Sequence, residues 1–340
     1  MSDGENDNPT GMLRFRSFSE SDLEHIVLTP KYVSTVEQAM DIVDDEEKKM
    51  DEQEKEDKEE EVDDDSDSDD EDNRRDVMEV HQGIFELQQD YRFLCQITKS
   101  SYNCYAVQDK LTSWVIKINR DRAKHKIPRE ILCLSRCANV PHVMKLHRWH
   151  TLSNGYYAMV TPEYVDHELP MIFESHATIQ SYMRQLFVAL QGCYKCGVVH
   201  RDIKPGNVYF DATAKVLTLA DFDSATTNPE RIRKYNYIGT DGFRSPELSN
   251  GLGYDWRTDL YSAGVTFGML LYHVDSEVDV DNALVSTWRK NARKPCEDYT
   301  FHGDKYAQEL LWKLIEKNPN KRPSYEQCLN HKYFQTLYKK

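Results

Sequence analysis

The stretch VVHRDIKPGNVYF (residues 198–210), followed by LADFD (residues 219–223), decides how the chain folds. An Asp at 202, a Lys two residues on at 204, an Asn five residues on at 207 and a second Asp at 221 surround two short strand-like runs that form a hairpin. Each spacing has a physical reason. Asp202 is placed to accept or orient the proton of an attacking hydroxyl, and Lys204 puts a positive charge beside a transferring phosphoryl group. Asn207 and Asp221 must share a magnesium ion, so both must hang from adjacent loops at the mouth of one cleft.

These motifs resemble those of the eukaryotic protein kinase superfamily, and the other parts of the kinase set stand in order around them. The resemblance implies an α+β, bilobal fold, with a small β-rich lobe carrying one helix and a larger helical lobe. It also implies ATP and Mg²⁺ as cofactors. Lys117, in the strand-like SWVIKIN, is the expected ligand of the α- and β-phosphates, and Glu130 of PREILCL is its expected ion-pair partner. The loop over the phosphates corresponds to ITKSSYNCYAV, with Thr98, Ser100 and Asn103 at the three glycine positions. Tyr105 and Val115 are expected against the nucleotide, and TPEYVD contributes backbone at Glu163 and Val165. A one-residue slip leaves the residue at the back of the adenine site as either Thr161 or Pro162. In GTDGFRSPE (residues 239–247), Thr240 and Arg244 are expected to face the substrate. Lys204 and Thr240 together point to serine/threonine specificity. Glu247 with Arg322, and Asp259 with the backbone of the catalytic loop, are expected as structural supports.

The hydrophobic pattern divides the chain accordingly. Residues 1–76 carry no sustained periodicity. In 77–90, Val77, Val80, Ile84 and Leu87 recur at helical intervals and predict a leading helix. Residues 91–340 form the kinase domain, with the small lobe over about 91–162 and the large one over about 163–340. Strands are expected in YRFLCQI, CYAVQ, SWVIKI, VMKLHRWH and YYAMVT, and helices in TIQSYMRQLFVALQGCYKC, RTDLYSAGVTFGMLLYHV, YAQELLWKLIEKN and SYEQCLNHKYF.

Charge is concentrated in one place. Residues 41–72 hold 21 Asp or Glu and 4 Lys, a net of −17, against −15 for the whole chain. With almost no apolar residues to offset an ordering entropy of roughly 1–2 kcal/mol per residue, that run reads as disordered. It serves as a solvating spacer or as a tail for basic partners. Eight cysteines are scattered without a zinc spacing, so free thiols in a reducing compartment are expected, and Cys193-x-x-Cys196 reads as a helix end. No apolar run is long enough to span a membrane, and no direct nucleic-acid binding is expected.

PEYVDHEL, SYMRQLFVAL, EILCL, GTDGFRSPE and YSAGVTF, spread between residues 91 and 334, are similar to the catalytic subunit of the Dbf-dependent kinase family. That resemblance implies a Dbf-type regulatory subunit clasping the small lobe and substrates among the acidic tails of the MCM helicase. It further implies nuclear residence, and an acidic residue after the target serine read by Arg244, with Arg231, Arg233 and Lys234 adding charge. The family's long insertions are absent, since the segments 221–247 and 269–306 are short.

Two features depart from kinases at large. All three phosphate-loop glycines are replaced, which predicts weaker nucleotide binding; Asn at 103 is expected because it tolerates a left-handed backbone. Asp223 stands where glycine follows the metal aspartate, and Asp too visits positive φ at a cost of roughly 1 kcal/mol. Its charge would weaken ATP binding, act beyond the metal's direct ligands or face solvent. Active kinase and pseudokinase scaffold are the two readings; retention of Lys117, Asp202, Asn207 and Asp221 favours the first.

Overall fold

The computed structural model describes residues 69–97, 103–110, 112–119, 127–164, 175–227, 238–274, 277, 280–290 and 303–335. The acidic run up to residue 68 lies outside them, as do Thr98, Ser100, Val165, Arg231, Arg233 and Lys234.

The described residues open with α1 (Asp69–Leu87), which begins eight residues before the expected Val77. Then come β1 (Arg92–Gln96), β2 (Asn103–Asp109), β3 (Thr112–Asn119), α2 (Arg129–Arg136), β4 (Arg148–Thr151) and β5 (Tyr157–Pro162). These five strands form one antiparallel sheet in the order β1-β2-β3-β5-β4. The sheet has two faces with different coverings. Val107, Ile116, Ile118, Ala158 and Val160 bury the outer face against Val80 and Leu87 of α1, which explains the spacing of the leading helix. The other face, carrying Val115 and Lys117, looks toward the second lobe. Of VMKLHRWH only residues 148–150 are strand, continued by Thr151; Val143 instead makes a single parallel bridge to Leu219.

The large lobe is built on α3 (His176–Lys195), a 3₁₀ turn (Pro205–Asn207), the hairpin β6 (Val208–Asp211) and β7 (Val216–Leu219), then α4 (Pro246–Ser249) and α5 (Arg257–Tyr272). It closes with α6 (Asn282–Lys290), α7 (Lys305–Leu314), α8 (Tyr325–Leu329) and α9 (Lys332–Gln335). SYEQCLNHKYF is thus two short helices, parted at Asn330 and His331. Helix α5 is buried on all sides over residues 258–272, so it is the axis around which the others pack. Ser175 caps α3 by accepting from Thr178 N, and α3 in turn delivers the chain into the 198–207 loop.

Candidate active site

The 198–207 loop is held from below. Asp259, in the first turn of α5, accepts from His200 N at 2.8 Å and Arg201 N at 2.7 Å. Burial pushes the Asp259 carboxyl up, opposed by His200, Arg201 and these two backbone donors. Arg201, at φ 69°, reaches across to donate to Ser224 O at 2.5 Å and Tyr254 Oη at 2.6 Å, tying the loop to the segment after β7. Ala220 N donates to Asn207 O at 2.9 Å, so Asn207 and Asp221 hang from backbones that touch.

At the loop's upper face the chemistry-bearing groups converge. Thr240 Oγ1 donates to Asp202 Oδ1 at 2.8 Å and accepts from Lys204 Nζ at 2.8 Å. Lys204 Nζ also lies 3.6 Å from Asp202 Oδ2. Asn207 Nδ2 donates to Asp202 O at 2.8 Å and Oδ2 at 2.9 Å, which leaves its amide oxygen for a cation. The approach of the 239–247 segment depends on Gly239: at φ 80°, a Cβ there would sit 2.5 Å from Arg201 O.

Across the cleft, Lys117 Nζ is 3.0 Å from Glu130 Oε1, 3.1 Å from Asp221 Oδ1 and 2.9 Å from Asp223 Oδ2. Burial opposes the ammonium charge, but the three carboxylates outweigh it and hold the Lys117 pKa well above its usual value. Burial also raises Glu130, with Lys117 pulling it down and Asp223 and Asp221 pushing it up. One cation among three carboxylates leaves negative charge in excess. The ligand oxygens of Glu130, Asp221 and Asp223 lie within 4.8 Å of one another. Carboxylate oxygens are hard donors of the kind that suits a divalent cation, and the Asn207 amide oxygen is a donor of the same kind.

Asp223 does not face solvent. Besides Lys117 it accepts from Asn119 Nδ2 at 3.3 Å, and Asn119 donates also to Tyr157 Oη at 2.6 Å. Nor does residue 223 need the left-handed backbone expected of a glycine substitute. The positive φ of the motif, 57°, belongs to Asp221. Phe222 between them is buried, its ring edge-on to His200 at 4.7 Å, which fixes the direction in which Asp221 points.

Register settles two further residues. Directly opposed residues of an antiparallel pair share a face of the sheet. Val115 pairs with Thr161 and Lys117 with Met159, whereas Pro162 pairs with Trp114. Thr161, buried, therefore closes the back of the cleft, and Pro162 lies on the other face. Tyr105 pairs with Ile116, so its ring is on the outer face, edge-on to Phe93 at 5.6 Å. That corrects its expected place against the nucleotide; Cys104 and Ala106, opposite Lys117 and Val115, take the cleft face. Asn103 opens β2 opposite Ile118 with an ordinary extended φ, so its expected left-handed conformation is not used either. Glu163 follows β5 at the edge of the cleft, partly buried, with its carboxyl pushed up by that burial.

Arg244 is the other correction. Its Nε donates to Ile238 O at 2.8 Å, its Nη1 to Asp241 Oδ1 at 2.5 Å and its Nη2 to Gly239 O at 2.7 Å. With the side chain 9% exposed, the guanidinium clips its own loop and does not present itself to substrate. The expected supports are in place: Arg322 Nη1 and Nη2 donate to Glu247 Oε1 and Oε2 at 2.5 and 2.7 Å in the interior of the large lobe.

A five-stranded lobe over a helical lobe, with a Lys–Glu pair facing an Asp–Lys–Asn loop, defines the protein kinase architecture. Residues 99–334 match the family model of the protein kinase domain, and the chain belongs to that family. It is 25% identical over 237 residues to a probable serine/threonine-protein kinase of Dictyostelium discoideum, covering 68% of this chain and 28% of that one. It is 31% identical over 239 residues to a probable serine/threonine-protein kinase of Arabidopsis thaliana, covering 65% and 41%. Over 256 residues it is 27% identical to an Aurora kinase of Patiria pectinifera, covering 68% and 59%. The chain thus spans 28 to 59% of the length of these relatives.

Proposed function

We propose that the chain is an ATP- and Mg²⁺-dependent protein serine/threonine kinase. The observation that carries this reading is the chain Lys204–Thr240–Asp202, with both hydrogen bonds at 2.8 Å, set above the Asn207–Asp221 pair. In this reading Asp202 orients the substrate hydroxyl and takes its proton. Lys204 stands beside the transferring group, and Lys117, fixed by Glu130, meets the α- and β-phosphates. Asn207 and Asp221 would hold Mg²⁺, which neutralises phosphate charge when bound. Val115, Ala106 and Thr161 line the adenine side, with Glu163 at its edge; Thr98, Ser100 and Val165, outside the described residues, and Asn103 are the remaining nucleotide contacts that the kinase pattern assigns.

The resemblance of EILCL, GTDGFRSPE and YSAGVTF to the Dbf-dependent kinase supports a finer reading: a nuclear enzyme of replication initiation that needs a Dbf-type subunit and modifies acidic MCM tails. Acidic preference then rests on Arg231, Arg233 and Lys234, since Arg244 is committed to its loop. The pseudokinase reading is favoured by one observation, the Asp223 carboxylate seated on Lys117. Transfer of labelled phosphate to an MCM tail, with and without the partner, separates these. Transfer that rises with the partner is expected. Transfer no greater than that of Asp202→Asn, with no Mg-ATP binding by calorimetry, makes the chain a pseudokinase.

A further inference from the structure

Cys193-x-x-Cys196 ends α3, and a third cysteine from the small lobe's helix arrives beside it. Cys137 caps the C-terminus of α2: its N–H donates to Cys133 O, and the next N–H, that of Ala138, donates to Ser135 O. Cys137 Sγ lies 3.7 Å from Cys193 Sγ, and Cys196 follows one turn on, at the end of the same helix as Cys193. The approach is built in. Gly192 has no side chain where Val140 presses on α3, since a Cβ there would be 2.2 Å from Val140 Cγ1. Lys145 Nζ pins the turn after α2 by donating to Ala138 O at 2.8 Å and Val140 O at 2.7 Å.

The three thiols differ in access and in character. Cys137 and Cys193 are buried, and Cys196 is partly exposed. The Cys137 thiol is held below its usual pKa, first by the hydrogen bond to Cys193 and then, against burial, by the Lys145 ammonium. Burial pushes Cys133, one turn earlier, up to about 12. A metal site is a poorer reading, because among the described residues only the Glu130, Asp221 and Asp223 group brings ligand atoms together at metal-binding distances.

We propose that Cys137, Cys193 and Cys196 form a thiol-oxidation site, in which a peroxide links Cys137 to the end of α3 through a disulfide. Cys196, the member open to solvent, meets the oxidant. Burial and the neighbouring Cys137 push the Cys196 thiol up, so access to the oxidant and not acidity gives it the first step. The thiolate it forms on losing its proton attacks the peroxide, forming an S–O bond as the O–O bond breaks, and the departing hydroxide takes up a proton as water. The Cys137 thiolate then attacks the sulfenic sulfur of Cys196; the S–S bond forms, the S–O bond breaks and a second water leaves. Two thiols and one hydrogen peroxide give one disulfide and two waters. Cys193 stands ready to exchange with Cys196 for Cys137. Either link ties α2, which carries Glu130, to the helix that feeds the catalytic loop. Because the site rests on thiol geometry, it stands whether or not the chain transfers phosphate.

The test uses the full chain treated with hydrogen peroxide, alkylated and cut with trypsin without reduction. Cleavage after Arg129, Arg136, Arg184, Lys195 and Arg201 leaves Cys133, Cys137, Cys193 and Cys196 each in a separate peptide. The expected product joins peptide 137–145 to 196–201 or to 185–195, and dithiothreitol releases it. Cys137 recovered fully alkylated while the exposed Cys95 is oxidised overturns the proposal, as does a link confined to Cys193 and Cys196. In Cys196→Ser, Cys137 is expected to stay alkylatable at the same peroxide dose. A Cys137–Cys193 link forming there as fast as in the wild type removes Cys196 from its role.

Discussion

Replacing Asp223 with Asn isolates the most unusual contact of the cleft. Asp223 Oδ2 sits 2.9 Å from Lys117 Nζ, with the two side chains 20% and 11% exposed, so water screens the pair little. Mg-ATP must take this lysine away from Asp223 and must also bring phosphate charge toward a fixed carboxylate. A hydrogen bond to a charged group contributes roughly 1.5–3 kcal/mol. Asn keeps the shape and an acceptor oxygen but drops the charge, so about half of that resistance disappears, and Mg-ATP should bind ~5–10-fold tighter, or about 1–1.5 kcal/mol. Asp223→Gly, which removes the acceptor altogether, should gain more. Titration calorimetry with Mg-ATP reads the change directly. Binding to Asp223→Asn that is equal to or weaker than wild type would refute the reasoning, and weaker binding would mean that the carboxylate serves the metal.

The same cluster sets a pH dependence. Glu130 has a folded pKa above its unfolded value, chiefly through burial, so its contribution to stability is whole below the unfolded pKa and is lost as pH rises through the folded one. Asp223→Asn removes one of the charges that raise it. The melting temperature of the variant relative to wild type should therefore climb between pH 5 and pH 8 without nucleotide; a flat or falling difference contradicts this. Arg322→Ala strands the buried Glu247 carboxylate and should cost about 3–5 kcal/mol, read from urea unfolding at unchanged slope. A loss below about 1 kcal/mol would mark the pair as dispensable. Arg244→Glu unclips the 239–247 loop, so activity on acidic and neutral peptides should fall together; a loss confined to acidic peptides would return Arg244 to substrate recognition.

What was legible in the sequence was what lies close together along it. Asp202, Lys204 and Asn207 share one turn, and Asp221 follows a hairpin that the sequence announces, so their spacing carries their geometry. Tyr105 was misplaced because Cys104, Tyr105, Ala106 and Val107 are all apolar or aromatic, and such a run has no alternation to say which face is which. Pairing with Ile116 decides it, and pairing is tertiary information. The partners of Arg244 are largely backbone carbonyls, which no residue pattern reveals. Asp223 was conspicuous by type, yet its attachment to Lys117 joins residues more than a hundred positions apart. The approach of Cys137 to Cys193 was hidden for the same reason: the space left at Gly192 and the clasp by Lys145 that allow it appear only in the fold.

The central claim is that the Asp202 constellation transfers phosphate to a hydroxyl. Labelled γ-phosphate transfer from Mg-ATP to a serine-containing protein substrate, by wild type and by Asp202→Asn side by side, tests it most directly. Asn at 202 keeps the size of the side chain beside Asn207 and Thr240 but cannot take the proton. Transfer by the wild type is expected, with a fall of about 10²–10⁴-fold in the variant and Mg-ATP affinity unchanged. Equal transfer by both proteins, or none by the wild type while it binds Mg-ATP, would contradict it.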